Sequence, residues 1–179
     1  ANDLELQMIN SYKEGLIELE KGDSLLAANK FKEAEALYPQ SEWAAKSALM
    51  SAYSYYKQDY YSDAIFELER FIKTYPLDID KDYAHFLLAM CFYEKIVDET
   101  KDLEAIRKSK KEFEFIIQNY PNTDYAKDAK YKIDLINNIL AAKELYLGKY
   151  YLDRKKWIPA INRFKTIVIK YDTSEVVEE

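Results

Sequence analysis

The chain has few of the residues that interrupt regular structure, with 3 glycines and 4 prolines in 179 residues. Hairpins and tight turns depend on those residues, so their scarcity argues against a sheet-rich fold. A single cysteine, Cys91, excludes an internal disulfide. A single histidine, His85, with no Cys-x-x-Cys beside it, gives a zinc site nothing to build on. No run approaches the roughly 18 apolar residues of a membrane-spanning helix. The opening Ala1-Asn2-Asp3-Leu4-Glu5 has neither the basic start nor the apolar stretch of a signal peptide. Because the chain does not begin with methionine, a leader or tether is expected upstream of it. The phosphate-binding, nucleophile-elbow and dinucleotide glycine motifs are all absent. Acidic residues fall on charged helix faces, and no pair is marked out for acid–base work. Asp78-Ile79-Asp80-Lys81-Asp82 lacks the glycine and terminal glutamate of a calcium loop and reads as acids at a helix start. The expectation is a protein without catalytic residues, cofactor or metal.

What the chain does have is apolar content of 49% together with 32% charged residues, the balance of an all-α domain with a real core. It also has an internal repeat closed by Tyr-Pro. Tyr38-Pro39, Tyr75-Pro76 and Tyr120-Pro121 each end a helical segment, and Tyr171-Asp172 ends a fourth. Counting back 12, 8 and 5 residues from each stop gives Ala27, Phe31, Ala34; then Ala64, Leu68, Phe71; then Ser109, Phe113, Ile116; then Ala160, Phe164, Ile167. A small residue, a large one and a small or apolar one before a stop is the second-helix signature of a tetratricopeptide repeat. Such repeats bury their apolar faces only by stacking. The predicted fold is therefore an all-α tetratricopeptide-repeat superhelix of antiparallel helix pairs, with about four repeats plus the start of a fifth.

The predicted repeats cover about 4–39, 41–76, 80–121 and 124–172 of a single solenoid domain spanning 1–179. Their helices are expected at about 4–21, 24–38, 41–57, 61–75, 80–97, 103–119, 124–153 and 156–170. Ser41 is a candidate N-cap, and Pro159 fits the first turn of the last helix. The third stop lies 45 residues after the second, against 37 between the first two. The surplus is placed in a charged loop around Lys95 to Asp102. A stretch of thirty residues without a turn signal leads into the fourth repeat and predicts one helix of about 45 Å. Thr173-Ser174-Glu175 reads as the start of another first helix, with the rest of a fifth repeat missing.

Tyrosine is unusually abundant, at 17 residues. Aligning the first helices sets Tyr12, Tyr53, Tyr56, Tyr83, Phe86 and Tyr93 on the inner wall, with Tyr38, Trp43 and Tyr60 near its edge. Tyr38, Trp43, Tyr53, Tyr56, Tyr83 and Tyr93 are the candidate peptide-binding residues, since an apolar ring with a hydroxyl tip suits a half-wet groove. Ordinary packing between helices is the competing use of the same rings. Net charge is −6, yet residues 127–170 carry 11 basic and 4 acidic groups. Arg154, Lys156 and Arg163 lie in that block and point to an acidic protein surface, an anionic membrane surface or a solvated face. The negative total and sparse aromatic interleaving argue against nucleic acid.

The order of these features resembles the BamD/YfiO family of bacterial outer-membrane lipoproteins. The resemblance rests on Ala64…Arg70-Phe71-Ile72-Lys73…Tyr75-Pro76, on Tyr120-Pro121-Asn122-Thr123-Asp124-Tyr125 with Asp128-Ala129, and on Glu144…Tyr150-Tyr151…Arg154…Trp157…Asn162-Arg163. It implies a non-enzymatic scaffold of the β-barrel assembly machinery at the periplasmic face of the outer membrane. The anchor would be an acyl chain on an N-terminal cysteine that this chain does not contain. The implied partners are a BamA-like barrel subunit, met through a POTRA domain by the later repeats at Arg154, Lys156 and Arg163. Other assembly-complex lipoproteins, and unfolded outer-membrane proteins met by the early repeats, complete the set. Two other readings fit the repeats alone: an adaptor or periplasmic chaperone that binds a peptide tail, and a helical accessory domain of an enzyme.

Overall fold

Each repeat closes on one geometric requirement, that an aromatic or large aliphatic side chain lie against a position with almost no side chain. The computed structural model describes residues 3–98 and 103–178, and shows how that requirement is met. Helices α1 (Asp3–Glu20) and α2 (Ser24–Leu37) pack so closely that a Cβ on Gly15 would stand 2.8 Å from Phe31. Phe31, Ala27 and Ala34 are fully buried there with Met8. Helices α3 (Glu42–Lys57), α4 (Tyr61–Thr74), α5 (Lys81–Asp98) and α6 (Leu103–Asn119) continue the pattern. Ala64, Leu68 and Phe71 are fully buried on α4, as are Ser109, Phe113 and Ile116 on α6. Consecutive helices pack on one another throughout this unit, which ends at Pro121.

The second unit, from Asn122, contains α7 (Asp124–Asp153), α8 (Trp157–Lys170) and a 3-10 turn at Glu175–Glu178. Gly148 on α7 lies under the ring of Phe164, and any Cβ there would collide with it. The 30-residue α7 is capped by Thr123, whose hydroxyl oxygen accepts from the Ala126 amide at 3.2 Å. The helix bounds agree with the expected ones within a residue or so at every end. Among the described residues the structure is all helix and turn, a tetratricopeptide-like helical repeat.

Three differences from expectation have physical causes. The charged stretch from Lys95, expected both to end a helix near 97 and to begin a loop, continues α5 to Asp98, with Ile96 buried there. The remainder of the expected loop, 99–102, lies outside the described residues. Ser41 caps nothing with its side chain, because its hydroxyl donates backwards to the Tyr38 carbonyl at 2.9 Å. The Thr173-Ser174-Glu175 stretch gives a 3-10 turn, not an α-helical start; the Ser174 amide donates to the Tyr171 carbonyl and Val177 to Ser174.

The turns inside the pairs share one design that the sequence conceals. Gly22, Asp59 and Lys155 all have positive φ, at 86°, 61° and 57°. Each stands two residues before its second helix and donates to the carbonyl three residues back. The next amide donates to the carbonyl five back: Asp23 to Glu18, Tyr60 to Tyr55 and Lys156 to Tyr151. This is the Schellman pattern. Only the first of the three turns uses glycine, so composition flags only that one.

An ion network braces the first two repeats. Arg70 on α4 donates to both oxygens of Glu35 on α2, at 2.7 and 2.6 Å, and its Nε donates to Glu67 at 2.9 Å. Tyr75 Oη donates to Glu35 at 2.8 Å, and Lys32 pairs with the buried Glu67 at 2.6 Å. Burial alone would raise the Glu35 carboxyl, but hydrogen bonds from Arg70 and Tyr75 outweigh it and hold the group below its ordinary value.

Two expected outcomes follow from this packing. Ala64→Phe overfills a closed helix contact and should cost about 1–3 kcal/mol in urea unfolding followed by circular dichroism. Because the folded carboxyl of Glu35 is depressed, its stabilisation is present above the unfolded pKa of about 4.3 and is lost as pH falls through the lower folded value. The thermal midpoint should therefore drop on acidification from about pH 5 downward, and Glu35→Gln should flatten that drop.

Candidate functional site

A helix face repeats at i, i+3, i+7 and i+10. On α3 those positions are Lys46, Leu49, Tyr53 and Tyr56, and on α5 they are Tyr83, Phe86, Met90 and Tyr93. The two helices touch directly. Leu49 is buried; Tyr53, Tyr56, Tyr83 and Tyr93 are half-buried. Tyr53, Tyr56 and Tyr83 pack part of their rings on the apolar cluster around Leu68 and Phe71. Tyr56 meets Tyr61 with centroids 5.9 Å apart, and burial, followed by the Glu94 charge, pushes its hydroxyl above the ordinary value. Thus each expected groove tyrosine on α3 and α5 is half-buried, and Tyr53, Tyr56 and Tyr83 are shared between core and surface.

At the other end of the row the placement is more divided. Tyr12 is buried, in edge-on contact with Phe31 at 5.2 Å and with Trp43 at 5.1 Å. It is therefore core, not wall, because the ring fills the gap between α1, α2 and α3. Tyr38 ends α2 and is half-buried against the same cluster. Trp43 keeps 38% of its surface exposed. Lys46 stands over both rings, 5.8 Å from the Tyr12 centroid and 5.1 Å from that of Trp43. Sequence reasoning passed over Lys46, although it occupies the same helix face as Tyr53; a search for aromatic residues alone does not register a lysine.

In the second unit, Arg163 on α8 donates through Nη1 to both carboxylate oxygens of Glu144 on α7, at 3.2 and 3.1 Å. Its side chain is 40% exposed, so it is neither a free surface charge nor a buried one. It borders a cleft of about 310 Å³ with Tyr151, Ile158, Pro159, Asn162 and Thr166. Arg154 lies 3.6 Å over the Tyr150 ring and also donates to the Tyr150 carbonyl at 3.4 Å. Lys156 is exposed at the N-cap of α8. The three basic residues thus sit at the turn and outer side of one helix pair, and two of them are held by neighbours.

The remaining candidates for chemistry are quiet. Cys91 is fully buried, and burial pushes its thiol up to about 12. Buried His85 contacts Glu112 through Nδ1 at 2.8 Å and lies against Phe115. Asp78 Oδ1 accepts from the Asp80 amide in a local turn. Among the described residues no cluster of His, Cys, Asp or Glu could hold a metal, and no helix is long and apolar enough to cross a membrane.

Helix pairs closed by small-against-large contacts, with a half-exposed aromatic row on successive first helices, define a tetratricopeptide-like repeat protein. The comparisons narrow the class. A family profile described as YfiO, outer membrane lipoprotein, matches residues 5–179, and the chain belongs to that family. It is similar to the outer membrane protein assembly factor BamD of Caulobacter vibrioides, 38% identical over 168 residues covering 94% of this chain. The assembly factor BamD of Rickettsia prowazekii is 37% identical over 174 residues, 97% of this chain, and that of Neisseria gonorrhoeae 30% identical over 178 residues. The chain spans 55% of the Caulobacter protein's length and 69% of the Rickettsia protein's.

The structure gives several residues of the family motifs a structural task. Arg70 and Tyr75 both bind Glu35, Arg163 binds Glu144, Arg154 covers Tyr150, and Thr123 caps α7. If the Glu144–Arg163 pair orients α8 on α7, then Glu144→Ala should lower the thermal midpoint by only a degree or two, since a partly exposed pair contributes about 0–1 kcal/mol. A drop of ten degrees in differential scanning calorimetry would mean that the pair is a principal brace.

Proposed function

We propose that this chain is a non-catalytic assembly factor of the outer membrane, working on the periplasmic side with a barrel-forming subunit. A lipid anchor supplied outside this chain would hold it there. The first unit receives extended segments of unfolded outer-membrane proteins along Tyr53, Tyr56, Tyr83 and Tyr93, with Trp43 and Tyr38 at the edge. The second unit meets a POTRA domain of a BamA-like subunit through Arg163, with Arg154 and Lys156 supplying a common positive field. Other lipoproteins of the same complex are further partners. The family match and the assembly-factor names of its relatives support the setting.

The observation that carries the reading is the half-exposed aromatic row on α3 and α5. Rings fixed on one side by core packing lose little further freedom on binding, and their hydroxyl tips stay hydrated. Arginine suits the second contact because a planar guanidinium can serve a carboxylate on each edge. Arg70 already does this between Glu35 and Glu67 in the first unit.

Photo-crosslinkers at Tyr53 and Tyr56 should capture unfolded barrel-protein segments, while one at exposed Glu69 on α4 should not. Equal capture from Glu69 would count against the groove. Arg163→Gln, which leaves no two carboxylates in repulsion, should weaken POTRA binding severalfold at low salt with the thermal midpoint nearly unchanged. Unaltered affinity would remove Arg163 from the interface.

A further inference from the structure

The turn between α7 and α8 is built from residues that its fold does not favour. Lys155 takes a left-handed φ of 57°, a backbone that glycine adopts without strain and a lysine does not. Lys156 stands at the N-cap of α8 without a capping side-chain hydrogen bond, and no acidic residue occupies the first turn of that helix. Cations there face the positive end of the helix dipole. The matching turns of the first unit are made otherwise. Gly22 takes the left-handed position in one and Asp59 in the other, and Asp23 caps α2 by accepting from the Leu26 amide at 2.9 Å.

The same turn carries apolar side chains into solvent. Trp157 is 58% exposed and Ile158 75%, with Tyr150 and Leu152 exposed just before the turn. Between Lys149 and Ile158 the chain has four basic residues and one acid, Asp153. Arg154 covers the Tyr150 ring, and among the described residues no carboxylate pairs with Lys155 or Lys156. Apolar side chains at the tip of a helix pair, ringed by cations, suit a boundary where apolar groups enter and charged heads stay outside. A protein partner would need pockets for two large side chains with carboxylates in register around them. A lipid headgroup layer supplies both an apolar depth and phosphates at every approach.

From this patch we infer that the α7–α8 turn rests on an anionic lipid bilayer. Trp157 and Ile158 enter the headgroup layer, and Arg154, Lys155 and Lys156 meet lipid phosphates. The inference goes beyond the partner contact proposed for Arg163 and rests only on the outer-membrane setting of the family. Tryptophan and tyrosine settle at the depth of the headgroups, and each nearby lysine or arginine adds attraction to an anionic surface. The Lys155 amide donates to the Leu152 carbonyl and the Lys156 amide to that of Tyr151, each at 2.9 Å. The patch is therefore presented by a turn already ordered, which spares the cost of fixing a loop on binding. Arg154 and Lys156 contribute positive field to the lipid contact and to the protein contact alike.

The test is co-sedimentation with vesicles at low salt, read together with tryptophan emission. The protein is the full chain with no lipid attached, carrying Trp43→Phe so that Trp157 alone reports, since the chain has two tryptophans. Vesicles of phosphatidylcholine mixed with phosphatidylglycerol should sediment the protein and shift the Trp157 emission to the blue. Vesicles of phosphatidylcholine alone should do neither, and added salt should release the protein. Lys155→Gly removes one cation and relieves the left-handed backbone. It should keep the thermal midpoint or raise it, and bind about fivefold more weakly, the value of one lysine at an anionic surface. Ile158→Ser should weaken binding and reduce the blue shift. The inference is overturned if the mixed vesicles change neither sedimentation nor emission, or if the neutral vesicles bind as well. It is also overturned if both variants bind vesicles like their parent, which places the binding elsewhere in the basic block. The same holds if the two variants keep their vesicle binding and lose affinity for a purified POTRA domain, which assigns the turn to the protein interface. The partner reading for Arg163 is decided separately, by Arg163→Gln against the POTRA domain.

Discussion

The structure depends on close approach of two helix backbones around one large side chain. Phe31 lies on Gly15 and Phe164 on Gly148, in repeats at opposite ends of the chain. Where small facing positions are alanine, as with Ala48 and Ala52 in one cluster with Leu68 and Phe71 of α4, the contact is likewise fully buried. Protein interiors tolerate few voids and little overlap, so these contacts set the spacing of each pair. That spacing then decides which neighbouring side chains are swallowed and which remain at the surface. Tyr12 is swallowed because α1, α2 and α3 converge on it; Tyr53 and Tyr56, farther along α3, are only half covered.

Polar residues add orientation to this packing. The carboxylates Glu35, Glu67 and Glu144 are each held by an arginine from another helix or turn of helix. Such groups are costly to bury alone and acceptable when hydrogen-bonded. They fix how one helix is rotated against the next, which apolar contact alone leaves partly free. The residues that mark the family in the sequence therefore serve two ends. Arg70 and Tyr75 are occupied within the first unit, whereas Arg163 combines an internal pair with an exposed edge on a cleft.

Most of the fold was legible before the structure was known. The offsets of 12, 8 and 5 residues before each stop located buried positions on α2, α4 and α6 and two of the three on α8, where Phe164 is only half-buried, and the absence of turn signals located the long α7. The Schellman turns at Asp59 and Lys155 were not legible, since neither uses the glycine that announces such a turn. The tail of α5 was ambiguous, falling both in the expected helix to 97 and in the expected charged loop from Lys95; the burial of Ile96 decides for helix. Of the site, the rows on α3 and α5 were legible by their helical spacing. The occupancy of each ring and charge was not.

Sequence by itself determined the period, the helix bounds and the face on which each residue lies, because these follow from local propensity and from 3.6 residues per turn. Tertiary structure alone decided what each face meets. Whether a tyrosine is core or wall, and whether a cation meets a carboxylate or a ring, depends on a helix tens of residues away. Lys32 lies on α2 and finds both Glu67 and the Tyr55 ring; Lys46 lies on α3 and finds the rings of Tyr12 and Trp43. The two lysines look alike in the sequence, and only the packing of the helices around them decides that one braces two helices through a carboxylate while the other rests on rings.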